Sequence, residues 1–167
     1  MKKYEQLTKY ITLIDSNNIG NWKGIDKKAS ESHADLPYLQ YSEIIYDFIE
    51  DVISFCDKHI EFNCKNYVQN LKNVKIDVGH LSNVDLKKCD EKTIVLMIFA
   101  AVRKERFCEG TLLFYIKNGS LLKWLKILEE FDNNWFIKNN YLGYHKNNDI
   151  LFLFKTLKNK QFIYGNM

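Results

Sequence analysis

The chain has 167 residues, 46% of them apolar and 14% aromatic, with 24 basic and 21 acidic side chains. That length predicts one domain with a sizeable core, and the composition excludes a disordered chain. The net charge of +3 is too small to indicate nucleic acid. Residues 1–132 hold 19 basic and 20 acidic groups, while residues 133–167 hold five lysines and Asp149, so the excess belongs to the C-terminal tail.

Lys2 and Lys3 lead into a polar, amphipathic segment rather than an apolar one, so no secretory signal is expected. The longest uncharged apolar run, Thr93 to Val102, is about half the length of a membrane span. These features predict a soluble cytoplasmic protein with no membrane partner, whose Cys56, Cys64, Cys89 and Cys108 are reduced.

Tyr4, Leu7, Tyr10, Ile11 and Ile14 recur at helical spacing and predict a helix over about 3–14. Residues 15–24 are rich in Asn and Gly and read as loop, with a short strand near Trp22. Pro37 and the alternation around Tyr38, Leu39 and Tyr41 fit a short strand or an ordered loop. Ser42 is placed as an N-cap before an apolar stripe from Ile44 to Cys56, which predicts a helix over about 43–57. A short helix is expected over 64–72. Ser82 to Asp85 has capping-box spacing.

Asp90 is positioned to cap a central helix, about 91–107, whose middle is apolar on all faces and therefore buried on all sides. Gly110 interrupts it or permits close packing. A helix over 108–117 stops at Asn118-Gly119, and Ser120 can cap another over 121–131, with Leu121, Trp124, Leu125 and Leu128 on one face. In the tail, Tyr141 to Tyr144, a turn at Lys146 to Asp149, and Ile150 to Phe154 predict a β hairpin on the same domain. Phe162 to Tyr164 is a candidate third strand. The fold class is mainly α (α+β): a helical domain over 1–132, then a C-terminal extension over 133–167. The small β element comes from the N-terminal loop region, the tail, or both.

Only two of the basic side chains are arginines, and both lie in Arg103-Lys104-Glu105-Arg106-Phe107-Cys108-Glu109-Gly110. Arginine is a planar fork suited to phosphate and carboxylate, whereas lysine is a point charge. On a helix Arg103 and Arg106 project about 60° apart. Arg103 has Phe99, Ala100, Arg106 and Phe107 as its three- and four-residue neighbours, so no local ion pair is available.

Three interpretations stand open. The arginines bind internal carboxylates such as Asp47, Glu50 or Asp51, or cap carbonyls. Or they hold an anionic small molecule or acidic protein surface, with Glu105, Glu109, Tyr38 and Tyr41 in the site. Or Glu105 or Glu109 acts as a general base in a small nucleotide-directed enzyme. Cys108 as an activated thiol is weighed against a small buried residue.

Cys56, His59 and Cys64, with His80 and Cys89 downstream, use zinc-ligand residue types at a spacing that matches no common finger, so no metal is assigned. No phosphate-binding glycine loop, zinc-protease motif or nucleophile elbow is present, and no cofactor is expected. Trp135, Phe136, Tyr141, Tyr144 and the tail lysines interleave aromatics with positive charge. That pattern suits single-stranded nucleic acid or a protein partner, but better a packed hairpin with a solvated lysine face.

The run AAVRKERFCEGTLLFYIKNGSLLKWLKILEEFD resembles the domain of unknown function family 6508, found in bacteria and their mobile elements. Arg103, Glu105, Arg106, Phe107, Cys108, Glu109 and Gly110 match that family's pattern position by position, with Lys104 in place of its usual alanine. Pro37 to Ser42 and the segment before Asp90 are similar too, so the resemblance covers roughly 1–132. It implies a compact helical domain with no activity to carry over, and a phage or mobile-element accessory role. The function expected is a small non-enzymatic binding protein acting through Arg103 and Arg106.

Overall fold

The computed structural model describes residues 2–14, 19–23 and 37–144. The chain divides into two compact units, Met1–Asp132 and Asn133–Met167. The mainly α class with a small sheet is what the structure shows. The elements are α1 (Glu5–Thr8), α2 (Ile11–Ile14), β1 (Gly20–Lys23), β2 (Tyr38–Tyr41), α3 (Glu43–Lys58), α4 (Tyr67–Asn73), α5 (Glu91–Glu105), α6 (Thr111–Lys117) and α7 (Ser120–Tyr144). Short 3-10 turns fill the chain from Ile60 to Asn66 and from Val78 to Lys88.

α5 is the axis of the first unit. Nine of its residues are buried, from Thr93 to Ile98 and from Ala100 to Val102, because neighbours cover it on nearly every side. Asp90 caps it as expected, its carboxylate accepting from the Thr93 N–H at 2.8 Å. α3 instead buries a single stripe, Ile45, Phe48, Val52, Phe55 and Cys56. Leu121, Trp124, Leu125 and Leu128 of α7 are all buried.

The predicted first helix is two short ones, broken at Lys9 and Tyr10. The break lets the Tyr10 hydroxyl reach Asp51 at 2.6 Å while its ring packs edge-on against Phe48. Asp132, itself buried, accepts the Lys3 and Tyr4 N–H groups at 2.8 and 2.9 Å, satisfying donors at the start of α1. β1 and β2 pair antiparallel with Trp22 opposite Leu39 and Lys23 opposite Tyr38.

Three predicted caps are not made. Ser42 sits before α3 in extended geometry, but its hydroxyl bonds nothing and is buried without a partner. Ser82 bonds only Asn83, and the carboxylate of Asp85 instead accepts from the Lys87 N–H. The Asn118 side chain, not Ser120, takes the first N–H of α7, at 2.9 Å. The central helix also stops at Glu105, and α6 starts only at Thr111. Among the C-terminal expectations, Tyr141–Tyr144 is helical rather than a strand, because α7 does not stop near 131. The rest of the predicted hairpin and the third strand lie outside the described residues.

α4 ends in a Schellman motif. The Ile76 N–H reaches the Leu71 carbonyl at 2.9 Å and the Lys75 N–H reaches Lys72 at 2.9 Å, with Lys75 at φ +61°. A side chain is disfavoured there, and glycine is not. Lys75→Gly is therefore expected to stabilise the protein by about 0.5–1 kcal/mol, seen as a higher midpoint in urea at unchanged slope. A lower midpoint would show that the lysine side chain contributes more than its backbone costs.

Candidate functional site

The Arg103–Gly110 segment is where α5 ends and the chain turns into α6. The Arg106 and Phe107 N–H groups bond back to Arg103 and Lys104 carbonyls, so helical geometry persists past Glu105. Gly110 then reverses the chain at φ +88°. A Cβ on Gly110 would lie 3.1 Å from the Trp22 ring, so glycine is needed both for the backbone and for the approach of β1.

Glu105 turns inward. Its two carboxylate oxygens accept the Gly110 N–H at 2.8 Å and the Leu112 N–H at 2.6 Å. The Tyr41 hydroxyl, delivered by β2, donates to the same carboxylate and accepts the Leu113 N–H at 3.1 Å. Two side chains from separate elements thus satisfy the opening N–H groups of α6, which its N-cap glycine has no side chain to satisfy. Glu109 is used similarly: it accepts the Leu39 N–H of β2 at 2.7 Å. Both carboxylates are bound to backbone amides of this chain, an arrangement that suits a scaffold rather than proton transfer.

The cations turn outward. Arg103 is half-buried and Arg106 exposed, and among the described residues neither side chain makes a hydrogen bond, ion pair or cation–π contact. Asp51, one internal partner considered for them, is held instead by Gln6, Lys9 and Tyr10. Lys104 sees the charge of Asp77. In the same turn Phe107 is 81% exposed and Cys108 is exposed, and Trp22, which approaches Gly110, is 41% exposed.

Of the tyrosines placed in the site, Tyr41 is buried as a structural support. Tyr38 alternates to the opposite face of β2 from Leu39 and Tyr41 and is exposed. Trp22 is brought to the turn at Gly110. Its signal in the sequence was Gly110, which has no side chain where a neighbour approaches.

The described residues hold a cleft of about 470 Å³, but it lies elsewhere, between the end of α4 and the start of α5. Its groups are largely engaged with one another. Asp77 accepts from the Gly79 N–H and contacts His80 Nδ1 at 2.7 Å, Asp85 pairs with Lys88 at 3.1 Å, and Asp90 caps α5. Burial, with Asp90 and Asp85 nearby, pushes the Cys89 thiol up, opposite to what a nucleophile needs. No three His, Cys, Asp or Glu side chains converge as a metal-binding group among the described residues.

The model of a Family of unknown function, DUF6508, matches residues 1–134. The chain belongs to that family. No curated protein matches it, and no solved structure does. The matched span takes in the whole arginine turn and its supports in β1, β2 and α6. In this DUF6508 member the residues of the RxERFCEG run are used unequally by the fold. Glu105, Glu109 and Gly110 fix the turn, while Arg103, Arg106 and Phe107 face out from it.

Tyr41 belongs to a recurring device. Tyr4 donates to Glu91 at 2.7 Å and Tyr10 to Asp51 at 2.6 Å. In all three, burial first and the carboxylate partner next raise the phenol well above its ordinary value. The sign follows. The stabilisation is complete below the unfolded tyrosine pKa of about 10 and is lost as pH rises above it. A fraction of the phenolate absorbance is therefore expected to appear only as the helical circular dichroism is lost, at one shared midpoint. Phenolate that is fully formed before any helix is lost would refute the assignment.

Proposed function

We propose that the protein is a non-enzymatic binding protein that holds an anionic partner on the Arg103–Arg106 face. One observation carries this. The signature's carboxylates are bound to backbone amides, whereas its two guanidinium forks have no partner among the described residues. Desolvating two positive forks beside an exposed phenyl ring favours a ligand with carboxylate or phosphate oxygens. The arginines do not line the cleft; exposed Phe107 follows Arg106 in the chain, and Trp22 packs at Gly110 of the same turn. That composition suits an acidic protein surface better than an enclosed nucleotide.

The test is a thermal-shift and titration series with Arg103→Lys and Arg106→Lys. Its ligands are glutamate-rich peptides with and without an aromatic residue, mononucleotides, cyclic nucleotides and ADP-ribose. A ligand at one hundred times its Kd adds about 2.7 kcal/mol of apparent stability. Lysine keeps the charge but loses the fork, so each variant is expected to bind about tenfold or more weakly while melting within a degree or two of the parent. If the peptides bind and the nucleotides do not, the acidic surface is the partner. Variants that melt much lower, with no ligand shifting the parent, would make the arginines structural and end the proposal.

A further inference from the structure

We propose that Cys56 and Cys64 form a two-thiol site that hydrogen peroxide closes to a disulfide, tying the last turn of α3 to the turn that leads into α4. The two sulfurs lie 2.9 Å apart, and both side chains are buried. A disulfide bond is about 2.05 Å long, so closure needs sulfur movements of only about 1 Å.

The surroundings hold this geometry from both sides. Cys56 sits on the sixteen-residue helix α3. Cys64 follows Asn63, whose φ of +52° turns the chain back toward that helix. Between them Phe62 is buried, stacked on Phe55 at 5.8 Å and against Tyr4 at 6.3 Å. His59, the other residue of the apparent ligand pattern, is engaged by Glu61 and lies on Phe55, so it does not complete a metal site with the cysteines.

The electrostatics assign the two roles. The two thiols share one hydrogen bond, and the nearby charge of Lys92 favours the thiolate of Cys64 against burial and the charges of Asp57 and Glu61. Cys56, paired with Cys64 and buried near Asp57, is held up. Cys64 is then the attacking thiolate. It bonds to one peroxide oxygen, the O–O bond breaks, and the departing hydroxide takes a proton and leaves as water. The Cys56 sulfur attacks the Cys64 sulfenic acid, the S–O bond breaks, and the Cys56 proton leaves with the second water. The thiols lose two electrons and two hydrogens, and peroxide is reduced to two waters. Cys89 and Cys108 serve as internal comparisons, since among the described residues neither makes a sulfur–sulfur contact.

The experiment treats the folded full chain with hydrogen peroxide, alkylates remaining thiols in denaturant, and maps the peptides by mass. The expected product has lost two hydrogens, carries one Cys56–Cys64 link, and melts about 5–10 °C higher until a dithiol reductant reverses it. Cys108→Ser is expected to leave that link intact. Two results would overturn the proposal: Cys56 and Cys64 still alkylated after Cys108 has been oxidised, or links involving Cys89 or Cys108 forming in similar yield. The mass measurement on the unsubstituted chain does not depend on any variant folding. Cys56→Ser and Cys64→Ser should each abolish both the link and the rise in melting temperature.

Discussion

Glu105→Ala is expected to lower stability by about 3 kcal/mol, a fall in Tm of about 6–12 °C. The substitution removes the acceptor for two amides at the head of α6 and for the hydroxyl of Tyr41. The amides can recover water in part, since the turn is at the surface. The Tyr41 hydroxyl lies in a buried side chain, and its loss of an acceptor carries the larger share. Glu105→Gln should fall between the two, because its amide keeps one acceptor but sets an N–H against a backbone N–H. If Tyr41 and Glu105 act as one unit, Tyr41→Phe and Glu105→Ala will be less than additive, by about 1 kcal/mol. A Glu105→Ala protein that melts with the parent would show that this carboxylate is not a cap, and would return it to the candidates for chemistry.

Gly110→Ala is expected to cost about 2 kcal/mol, with a red shift in tryptophan emission as Trp22 is displaced. Part of that cost is the left-handed backbone, about 1–2 kcal/mol for a residue with a side chain. The rest is the Trp22 ring, 3.1 Å from where the new methyl would sit. Gly119 provides the control. Its φ is +76°, but nothing lies within 4 Å of a Cβ there. Gly119→Ala should therefore show the backbone cost alone. Equal losses at the two positions would mean that Trp22 simply moves aside. A larger loss at Gly110 would show that β1 is held against the arginine turn.

Together these substitutions test how Glu105 and Gly110 support the turn. Changes at Glu105 and Gly110 are read out as stability, because their contacts lie within the fold. Changes at Arg103 and Arg106 are expected to leave stability nearly unchanged, because among the described residues neither side chain makes a hydrogen bond or ion pair that its loss would orphan. A signature of this kind looks uniform along the chain, and it divides only when each side chain's direction is known.

Much of the architecture was legible in the sequence because it rests on local periodicity. The α3 stripe, the all-apolar middle of α5, the Asp90 cap and the stop at Asn118-Gly119 each follow from residues within one or two turns of one another. The resemblance carried by Arg103 to Gly110 likewise indicated the family. What the sequence could not settle depends on partners distant along the chain. Asp132 receives amides from Lys3 and Tyr4, nearly the full length of the unit away. Tyr41 reaches Glu105 and Leu113 from a different element. The helix at 3–14 breaks at Lys9 and Tyr10, where the Tyr10 hydroxyl meets Asp51, and Tyr38 is exposed beside buried Leu39 and Tyr41 because strand alternation sets their faces. Period and capping are properties of a short window, so the sequence by itself determined the helices and where the cations cluster. Only the tertiary structure decided which charges are consumed inside and which have no internal partner among the described residues, because that depends on donors brought together across the fold.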